Sequence, residues 1–306
     1  MAQVWELLLG NCQRPGSVMA ALCPQIRRLT LSDEVTQRQW LMQQLQPHRI
    51  ESLQGEASGL LTAYYEPVLQ AQRLPGNGFT TPLYRTPAGW RSGQVWFTRQ
   101  EMDTLPEAQA ALRGREIAWL ADPVDVLVLQ IQGSGRLRIT EPDGQVRLVR
   151  LAFAGSNEQP YQSIGRWLLD KNETKDASWA GIKTWLQRKP QKTQSLMWTN
   201  PRYVFFKEEA IEDESIGPRG AQGLPLTPGR SIAVDPQSVA YGTPLWLVST
   251  GPTQSLQRLV VAQDTGSAIV GAVRADLYMG TGAVAGELAG RMKQPLRLWA
   301  LLPKTQ

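Results

Sequence analysis

The apolar and polar positions near the N-terminus follow a helical pattern. Residues 15–55 carry the clearest helix signals, and the segment SDEVTQRQWLMQQLQ offers Ser32 as an N-cap and Glu34 in the first turn. His48, within LQPHRIESL, lies at the end of this pattern. We therefore predict a helical N-terminal region that gives way to other structure at Gly59.

From Gly59 onward the pattern is mostly that of short strands. The segment GLLTAYYEPVLQAQ mixes Thr, Tyr, Leu and Val as strands do, and residues 73–90 are rich in Pro and Gly. Residues 122–153 predict a β-meander, because VDVLVLQIQGSGRLRI runs into the turn tetrapeptide EPDG and then into QVRLVRLAFAG. In this reading Gln132–Gly135 is a tight turn between strands. Two helical stretches follow, around SIGRWLLDKN and ASWAGIKTWLQRK.

An acidic and Gly/Pro-rich stretch after TNPRYVFFK has the composition of a linker, so a domain boundary near residue 208 is expected. Short strands are predicted again beyond it, in SIAVDP, TPLWLVS, QRLVVAQD, VRADLYMG and PLRLWALLP.

Length and composition indicate an ordinary folded protein. The 306 residues exceed the roughly 100–200 residues of a typical domain, which favours two domains. No stretch approaches the roughly 18 uninterrupted apolar residues of a membrane-spanning helix, so we expect a soluble chain. The start MAQVWELLLGNC lacks the basic residues and long apolar run of a signal peptide. The location of the protein must therefore be inferred from its function.

The charge balance suits an anionic partner. The formal net charge is +5 and the pI is about 9.3. The basic residues are spread along the chain without a long Lys/Arg run or an RNA-binding motif, so no nucleic-acid partner is predicted. Eleven Trp residues fit a sugar-binding cleft, although core packing explains them equally well.

The scarcity of His and Cys restricts the chemistry that the chain can perform. His48 is the only histidine, and Cys12 and Cys23 are the only cysteines, which together cannot supply a four-ligand zinc site. The same scarcity disfavours a Ser-His-Asp or Cys-His mechanism and a His-rich metal centre, and we expect no metal and no cofactor. Chemistry must rest on carboxylates, hydroxyls, amides or Lys. The two cysteines form either a disulfide or two separate buried thiols.

Three aspartates in the last third each follow an apolar, strand-like run: Asp235 in SIAVDP, Asp264 in VVAQDTGSAIVG and Asp276 in VRADLYMG. A single such Asp is best explained as a turn residue that bonds nearby backbone amides. Three in related settings, among Gly-rich turns that admit close approach of a ligand, favour a site.

The string DTGS at 264–267 offers a rival interpretation, because it is the active-site signature of aspartic proteases. That mechanism requires two carboxylates that share a proton, and only one D-T-G occurs here. An aspartic protease is therefore a minor alternative.

A family resemblance accounts for more of the chain. The frame SIAVDPQSVAYGTPLWL at 231–247, followed by VAQDTGSAIVGAVRADLYMGTG at 261–282, resembles the three-aspartate (3D) domain of the membrane-bound lytic murein transglycosylase A (MltA) family. Upstream strings resemble the same family in the same order, namely GLLTAYYEPVLQA, LVLQIQGSGRLRI, AFAGSNEQPYQSIGRWLLD and NPRYVFFK. The resemblance spans about residues 59–300, and five ordered blocks are far more specific than one motif.

The resemblance implies a mainly β fold. Residues 1–67 and 208–306 would form a discontinuous double-psi β-barrel domain that carries the 3D motif and the N-terminal helices. Residues 68–207 would form a second, β-rich MltA-type domain inserted into it.

The resemblance also implies an activity. Family enzymes cleave the β-1,4 bond between N-acetylmuramic acid and N-acetylglucosamine in peptidoglycan without water, leaving a 1,6-anhydromuramoyl end, which is a carbon–oxygen lyase reaction. The catalytic aspartate of the family corresponds to Asp276, and Asp264 and Asp235 match its two supporting aspartates. The expected substrate-binding residues fall in the other blocks and are Thr62, Tyr64, Gln132, Gly133 and Ser134.

The residues present suit this chemistry. Ordinary glycosidases use two carboxyl groups, but one suffices if the C6 hydroxyl of the sugar attacks the anomeric carbon. That carboxyl group first protonates the leaving oxygen and then accepts the C6 hydroxyl proton. It must begin protonated, so we predict that burial and the nearby Asp264 raise the pKa of Asp276.

Two departures from the family pattern stand out. Arg136 follows the QGSG string where an aromatic or apolar residue is expected, and Arg274 and Ala275 replace a more usual polar and aromatic pair before Asp276. These changes are expected to alter which glycan strands are preferred while leaving the acid in place.

The resemblance predicts a periplasmic, cell-envelope protein whose partner is the glycan strand of peptidoglycan. We expect a monomer, with peripheral or lipid-anchored association with the outer membrane in the native precursor. The alternative from another class is a non-catalytic glycan-binding protein of the cell wall.

Overall fold

The computed structural model describes residues 2–251 and 254–304. The α-helices within these ranges are α1 (Ala2–Asn11), α2 (Cys23–Arg28), α3 (Glu34–Gln44), α4 (Arg99–Thr104), α5 (Pro106–Leu112), α6 (Pro123–Gln132), α7 (Ile164–Asp170), α8 (Trp179–Arg188), α9 (Thr193–Trp198) and α10 (Ala283–Arg291). The β-strands are β1 (Leu45–Arg49), β2 (Gly59–Glu66), β3 (Val68–Gln72), β4 (Thr81–Tyr84), β5 (Glu116–Leu120), β6 (Ser134–Thr140), β7 (Val146–Ser156), β8 (Val204–Ala210), β9 (Ser231–Val234), β10 (Pro244–Thr250), β11 (Ser255–Asp264), β12 (Arg274–Thr281) and β13 (Lys293–Pro303). The prediction of a mainly β protein with N-terminal helices is confirmed.

The chain divides into two compact units. The first combines Met1–Tyr65 with Glu214–Gln306, and the second is the continuous segment Glu66–Asp213. We call them the barrel unit and the insert unit.

A closed sheet forms the centre of the barrel unit. Its strands are ordered β1-β13-β10-β11-β9-β12-β2, and β13 also pairs with β2, with Lys293 opposite Thr62. The strands from β13 to β2 therefore close into a barrel, and β1 is added to it as an edge strand. Alternate side chains fill the interior with a continuous apolar core that includes Leu61, Ile232, Val234, Ala275 and Leu277. The double-psi connectivity stays a prediction.

The N-terminal helices cover part of the barrel. Trp5 of α1 and Trp40 of α3 pack edge to face in one buried cluster with Leu259 and Val261 of β11. A disulfide joins Cys12 to Cys23, which decides between the two states that the sequence allowed.

Two local predictions in this region are wrong. Asp33, not Ser32, is the N-cap of α3, because its side chain accepts a hydrogen bond from the Thr36 amide at 2.8 Å. Glu34 does lie in the first turn. His48 lies in the edge strand β1, opposite Ala300, rather than at a helix end.

The insert unit is built on a second sheet. Its strand order is β4-β5-β3-β6-β7-β8, and β3 runs parallel to β6 while the other pairings are antiparallel. Its buried core includes Leu83, Ile117, Leu137, Leu151 and Phe206.

The predicted meander at 122–153 is wrong in its first third, because residues 123–132 form α6. The Asp122 side chain caps the helix by accepting from the Val124 amide at 2.8 Å, and Pro123 occupies the first turn. Gly133 ends the helix in the left-handed conformation at φ 77°. Gln132–Gly135 is therefore a helix-to-strand connection rather than a turn between strands. The strands β6 and β7 and the helices α7 and α8 lie where they were predicted.

Candidate active site

Strand β9 brings two of the three aspartates together. Ala233 pairs with Asp264 of β11 on one side and with Asp276 of β12 on the other. A β-bulge between Ala262 and Asp264 shifts the register, so that Ala262 of the core lies opposite Ile232 and Asp264 lies opposite Ala233. Residues directly opposite each other in neighbouring strands point to the same face, and two interstrand spacings amount to about 10 Å. Asp264 and Asp276 therefore flank Ala233 on one face of the barrel wall.

The alternation of side chains shows which face this is. Ala275 and Leu277 point into the barrel core, so Asp276 between them points away from it. The same holds for Thr62 and Tyr64 of β2, because Leu61 belongs to the core. Asp276, Thr62 and Tyr64 thus share the outer face of the barrel wall.

Asp276 is held by a short chain of hydrogen bonds. The Thr62 hydroxyl donates to Asp276 Oδ1 at 2.5 Å. Arg274 Nη2 donates to the same Thr62 oxygen at 2.8 Å. Asp276 lies inside β12, near its beginning, and not at a strand end as the sequence led us to expect.

Asp264 has different partners. Tyr64 donates its phenolic proton to Asp264 Oδ2 at 2.8 Å, and the Ala221 amide donates to Oδ1 at 3.0 Å. Asp264 and Asp276 share no hydrogen bond among the described residues, so they are not a proton-sharing protease dyad. Ala233 and Tyr64, which adjoin the two aspartates, belong to a small apolar cluster with Leu226, Ile269 and Tyr278.

Burial controls the electrostatics of both carboxyl groups. Removal from water raises the pKa of Asp276, the Thr62 hydrogen bond and the Arg274 charge oppose this rise, and the Asp264 charge adds to it. Burial likewise raises the pKa of Asp264, against the hydrogen bond from Tyr64. The prediction that burial raises the pKa of Asp276 agrees with the structure. A carboxyl group of this kind can remain protonated closer to neutral pH and act as an acid.

Asp235, the third aspartate, accepts hydrogen bonds from backbone amides. Its two carboxylate oxygens accept from the Gly271 amide at 2.7 Å and the Gln237 amide at 3.0 Å. The Thr265 hydroxyl donates to the Val234 carbonyl beside it at 3.0 Å. Asp235 therefore braces the loop between β11 and β12, which is the turn role that a single strand-end Asp usually has.

The remaining predicted site residues belong to the insert unit. Gln132 is the last residue of α6, Gly133 is its left-handed C-cap, and Ser134 begins β6 opposite Ala152.

Sequence reasoning did not assign Arg274, Tyr278 or Ala221 to the site. The first two lie two residues before and after Asp276 on the same strand, so period-two alternation around Asp276 is the signal that identifies them. Ala221 contributes only its backbone amide, which leaves no signal in the sequence.

Arg136, the other departure from the family pattern, is part of a buried ion triad in the insert unit. Glu66 accepts from Arg136 Nε at 2.8 Å and from Arg150 Nε at 2.7 Å, and the side chains are 0%, 5% and 9% exposed. The charge of Arg136 is therefore compensated by Glu66, which explains how an arginine is accommodated at a buried position where an aromatic residue was expected.

No group of three or more His, Cys, Asp or Glu residues within 2–251 and 254–304 is arranged to hold a metal ion. None of the helices in these ranges combines the length and apolarity needed to cross a bilayer.

Comparisons with known proteins match most of the chain. The MltA specific insert domain matches residues 60–207 and the 3D domain matches residues 230–302. Membrane-bound lytic murein transglycosylase A of Vibrio cholerae is 32% identical over 261 residues, which cover 81% of this chain and 67% of that protein. The chain spans about two thirds of the length of the curated relatives that it matches, from 64% to 67%.

Solved structures agree with these matches. The lytic transglycosylase LtgG of Burkholderia pseudomallei is 41% identical, with a TM-score of 0.63 over 98% of this chain and 89% of that one. Escherichia coli MltA with bound chitohexaose is 28% identical, with a TM-score of 0.75 over 97% of this chain and 85% of that one. This chain therefore belongs to the membrane-bound lytic murein transglycosylase A family.

Proposed function

We propose that this chain is a peptidoglycan lytic transglycosylase that cleaves the β-1,4 bond between N-acetylmuramic acid and N-acetylglucosamine and leaves a 1,6-anhydromuramoyl end. The observation that carries the proposal is Asp276, a desolvated carboxyl group with a raised pKa and a single hydroxyl donor. The names of the relatives and the chitohexaose bound to one of them support the substrate class.

Asp276 acts first as the acid. Its proton passes to the glycosidic oxygen while the bond from that oxygen to the anomeric carbon breaks, and the electron pair leaves with the N-acetylglucosamine oxygen. Asp276 then acts as the base: the C6 hydroxyl oxygen bonds to the anomeric carbon, and its proton returns to the carboxylate. Protons balance over the two steps without water.

Asp264 supports this cycle without reacting. Its oxygens are engaged by Tyr64 and Ala221, so it is not placed as a second nucleophile or base. Its negative charge helps to keep Asp276 protonated before the reaction. Asp235 contributes indirectly by fixing the loop between β11 and β12.

Further parts of the proposal concern binding and location. Gln132 and Ser134 of the insert unit offer amide and hydroxyl groups for the acetamido and hydroxyl groups of the glycan, and Gly133 between them keeps the backbone accessible. The protein acts on glycan strands in the periplasm as a monomer, without a metal or cofactor. It associates with the outer membrane peripherally or through a lipid anchor on its native precursor.

Digestion of purified peptidoglycan, followed by mass spectrometry of the products, tests the proposal. Anhydromuramoyl ends are expected from the unmodified chain and from Asp143→Asn, a matched change at an exposed turn. Asp276→Asn should release none while its circular dichroism spectrum stays unchanged. New reducing ends would indicate a hydrolase, and intact polymer that nevertheless binds the chain would indicate a glycan-binding protein.

A further inference from the structure

Arg274 is the charged residue nearest to Asp276 along the chain and on the same face of β12. It lies two residues before Asp276 and is half-buried. It is also one of the two departures from the family pattern noted in the sequence, where we expected it to affect only the choice of glycan strand.

The guanidinium group of Arg274 is held in place by oxygens of two strands. Nη1 donates to the Ala275 carbonyl at 2.5 Å and to the Leu60 carbonyl of β2 at 3.4 Å. Nη2 donates to the Thr62 hydroxyl oxygen at 2.8 Å. A planar group that is anchored at two carbonyls presents its next donor in a fixed direction, which a flexible ammonium group cannot do.

This contact decides where the Thr62 proton points. A hydroxyl group has one proton and two acceptor lone pairs. Because one lone pair of Thr62 receives Arg274, the proton is left for Asp276 Oδ1, to which Thr62 donates. Without Arg274 the hydroxyl can rotate and can itself seek an acceptor elsewhere.

We propose that Arg274 is a positioning residue that orients the Thr62 hydroxyl toward Asp276 and thereby stabilises the carboxylate formed between the two steps of the reaction. This inference rests on the proposed transglycosylase function. Arg274 affects kcat through Thr62, and its charge sets the position of the alkaline limb; it needs no contact with the glycan.

The electrostatic surroundings of Asp276 support this assignment. Arg274 opposes the effect of burial on the pKa of Asp276, and Thr62 does so too. The charged groups that act on Asp276 are Arg274 of β12 and Asp264 of β11, and Asp276 itself acts on Tyr64 of β2. Tyr278 lies on the same face of β12 as Asp276. Arg274 is the only cation in this set of described residues. Burial favours the protonated form of Asp276, which acts as the acid. Arg274 favours the carboxylate form, which acts as the base.

The test measures the rate of anhydromuropeptide release as a function of pH for five chains: unmodified, Arg274→Met, Arg274→Lys, Thr62→Val and the double variant Thr62→Val with Arg274→Met. Arg297→Met is the matched control, because Arg297 is exposed on β13 of the same unit. All chains are first compared by circular dichroism and urea denaturation.

We expect Arg274→Met to lower kcat about tenfold with KM changed less than about twofold, as for the loss of one charge-assisted hydrogen bond. Activity requires protonated Asp276 at the start, so it declines as the pH rises through the pKa of that group. Removing the cation raises this pKa further, and the alkaline limb should move to higher pH. Arg274→Lys keeps the charge and should leave the limb near its original place, with an intermediate kcat.

Dependence on Thr62 is read from the double variant. If Arg274 acts through Thr62, the double variant should be no slower than Thr62→Val within about twofold, because the oriented hydroxyl is already gone. Additive losses, or an alkaline limb in Arg274→Met that coincides with that of the unmodified chain, would overturn the inference. Absence of anhydro products from the unmodified chain would instead refute the proposed function. If Arg274→Met does not fold, Arg274→Lys carries the test, and an unchanged kcat in it would also overturn the positioning role.

Discussion

Replacing Glu66 by alanine should be among the most destabilising single changes in the insert unit. Glu66 is fully buried and is the common partner of Arg136 and Arg150, at 2.8 and 2.7 Å. Its removal leaves two guanidinium groups, only 5% and 9% exposed, without the carboxylate that faces them. Breaking a buried ion pair from one side costs about 3–5 kcal/mol, because a charge remains where water cannot reach it.

Urea denaturation followed by far-UV circular dichroism, with hydrogen exchange to locate the effect in β6 and β7, measures this loss. We expect Glu66→Ala to lower the free energy of unfolding by about 3–5 kcal/mol. Glu66→Gln should be destabilising as well, since an amide fills the space without supplying the charge.

An exposed ion pair of the same unit provides the control. Arg166 and Asp170 lie one helical turn apart on α7 at 2.8 Å, with side chains 75% and 55% exposed. Asp170→Ala should change the free energy of unfolding by no more than about 0.5 kcal/mol. A loss below about 1 kcal/mol in Glu66→Ala, or an equal loss in both variants, would refute the reasoning that burial makes the Glu66 triad important.

Three further predictions concern stability. Folding raises the pKa of Asp276, so ionisation of this group lowers the free energy of unfolding as the pH rises. Asp276→Asn should therefore resist urea better than the unmodified chain at neutral pH. This gain should vanish at acid pH, where Asp276 is protonated in both the folded and the unfolded chain. Reducing the Cys12–Cys23 disulfide, which spans 11 residues, should cost about 3 kcal/mol, measured by denaturation with and without reductant; no change would contradict it. Asp122→Ala should cost about 1 kcal/mol and increase hydrogen exchange at the start of α6, and unchanged exchange would argue against the cap.

The strands of the barrel could be predicted because their pattern is local. Each of β9 to β13 lies in a segment whose apolar and β-branched residues had predicted a strand. Once Ala275 and Leu277 are assigned to the core, period-two alternation assigns Arg274, Asp276 and Tyr278 to the opposite face. The sequence pattern also showed the three aspartates in related settings, and their division into one catalytic and two supporting residues stays a prediction.

The errors arose where non-local contacts decide the structure. The run at 123–132 is mostly apolar and mostly buried, and periodicity alone cannot distinguish a buried helix of this kind from a buried strand. His48 lies in a strand only because β1 pairs with β13 at the far end of the chain, with Leu45 opposite Pro303. No local signal predicts such a pairing.

The contacts that distinguish the three aspartates are also non-local. Asp276 meets Thr62, 214 residues away in sequence, and Asp264 meets Tyr64, 200 residues away. Asp235 instead bonds amides of its own turn and of the adjacent loop. The barrel pairings, rather than the identities of the three residues, therefore separate a candidate acid from a loop brace.

The central claim is that Asp276 alone serves as acid and base while the glycan supplies its own nucleophile. Digestion of peptidoglycan in heavy-oxygen water tests it most directly, because a hydrolase must transfer solvent oxygen to the new sugar end. The account predicts anhydromuramoyl products that carry no heavy oxygen, formed by the unmodified chain and absent with Asp276→Asn. Heavy oxygen at a new reducing end, or equal product from Asp276→Asn, would contradict it.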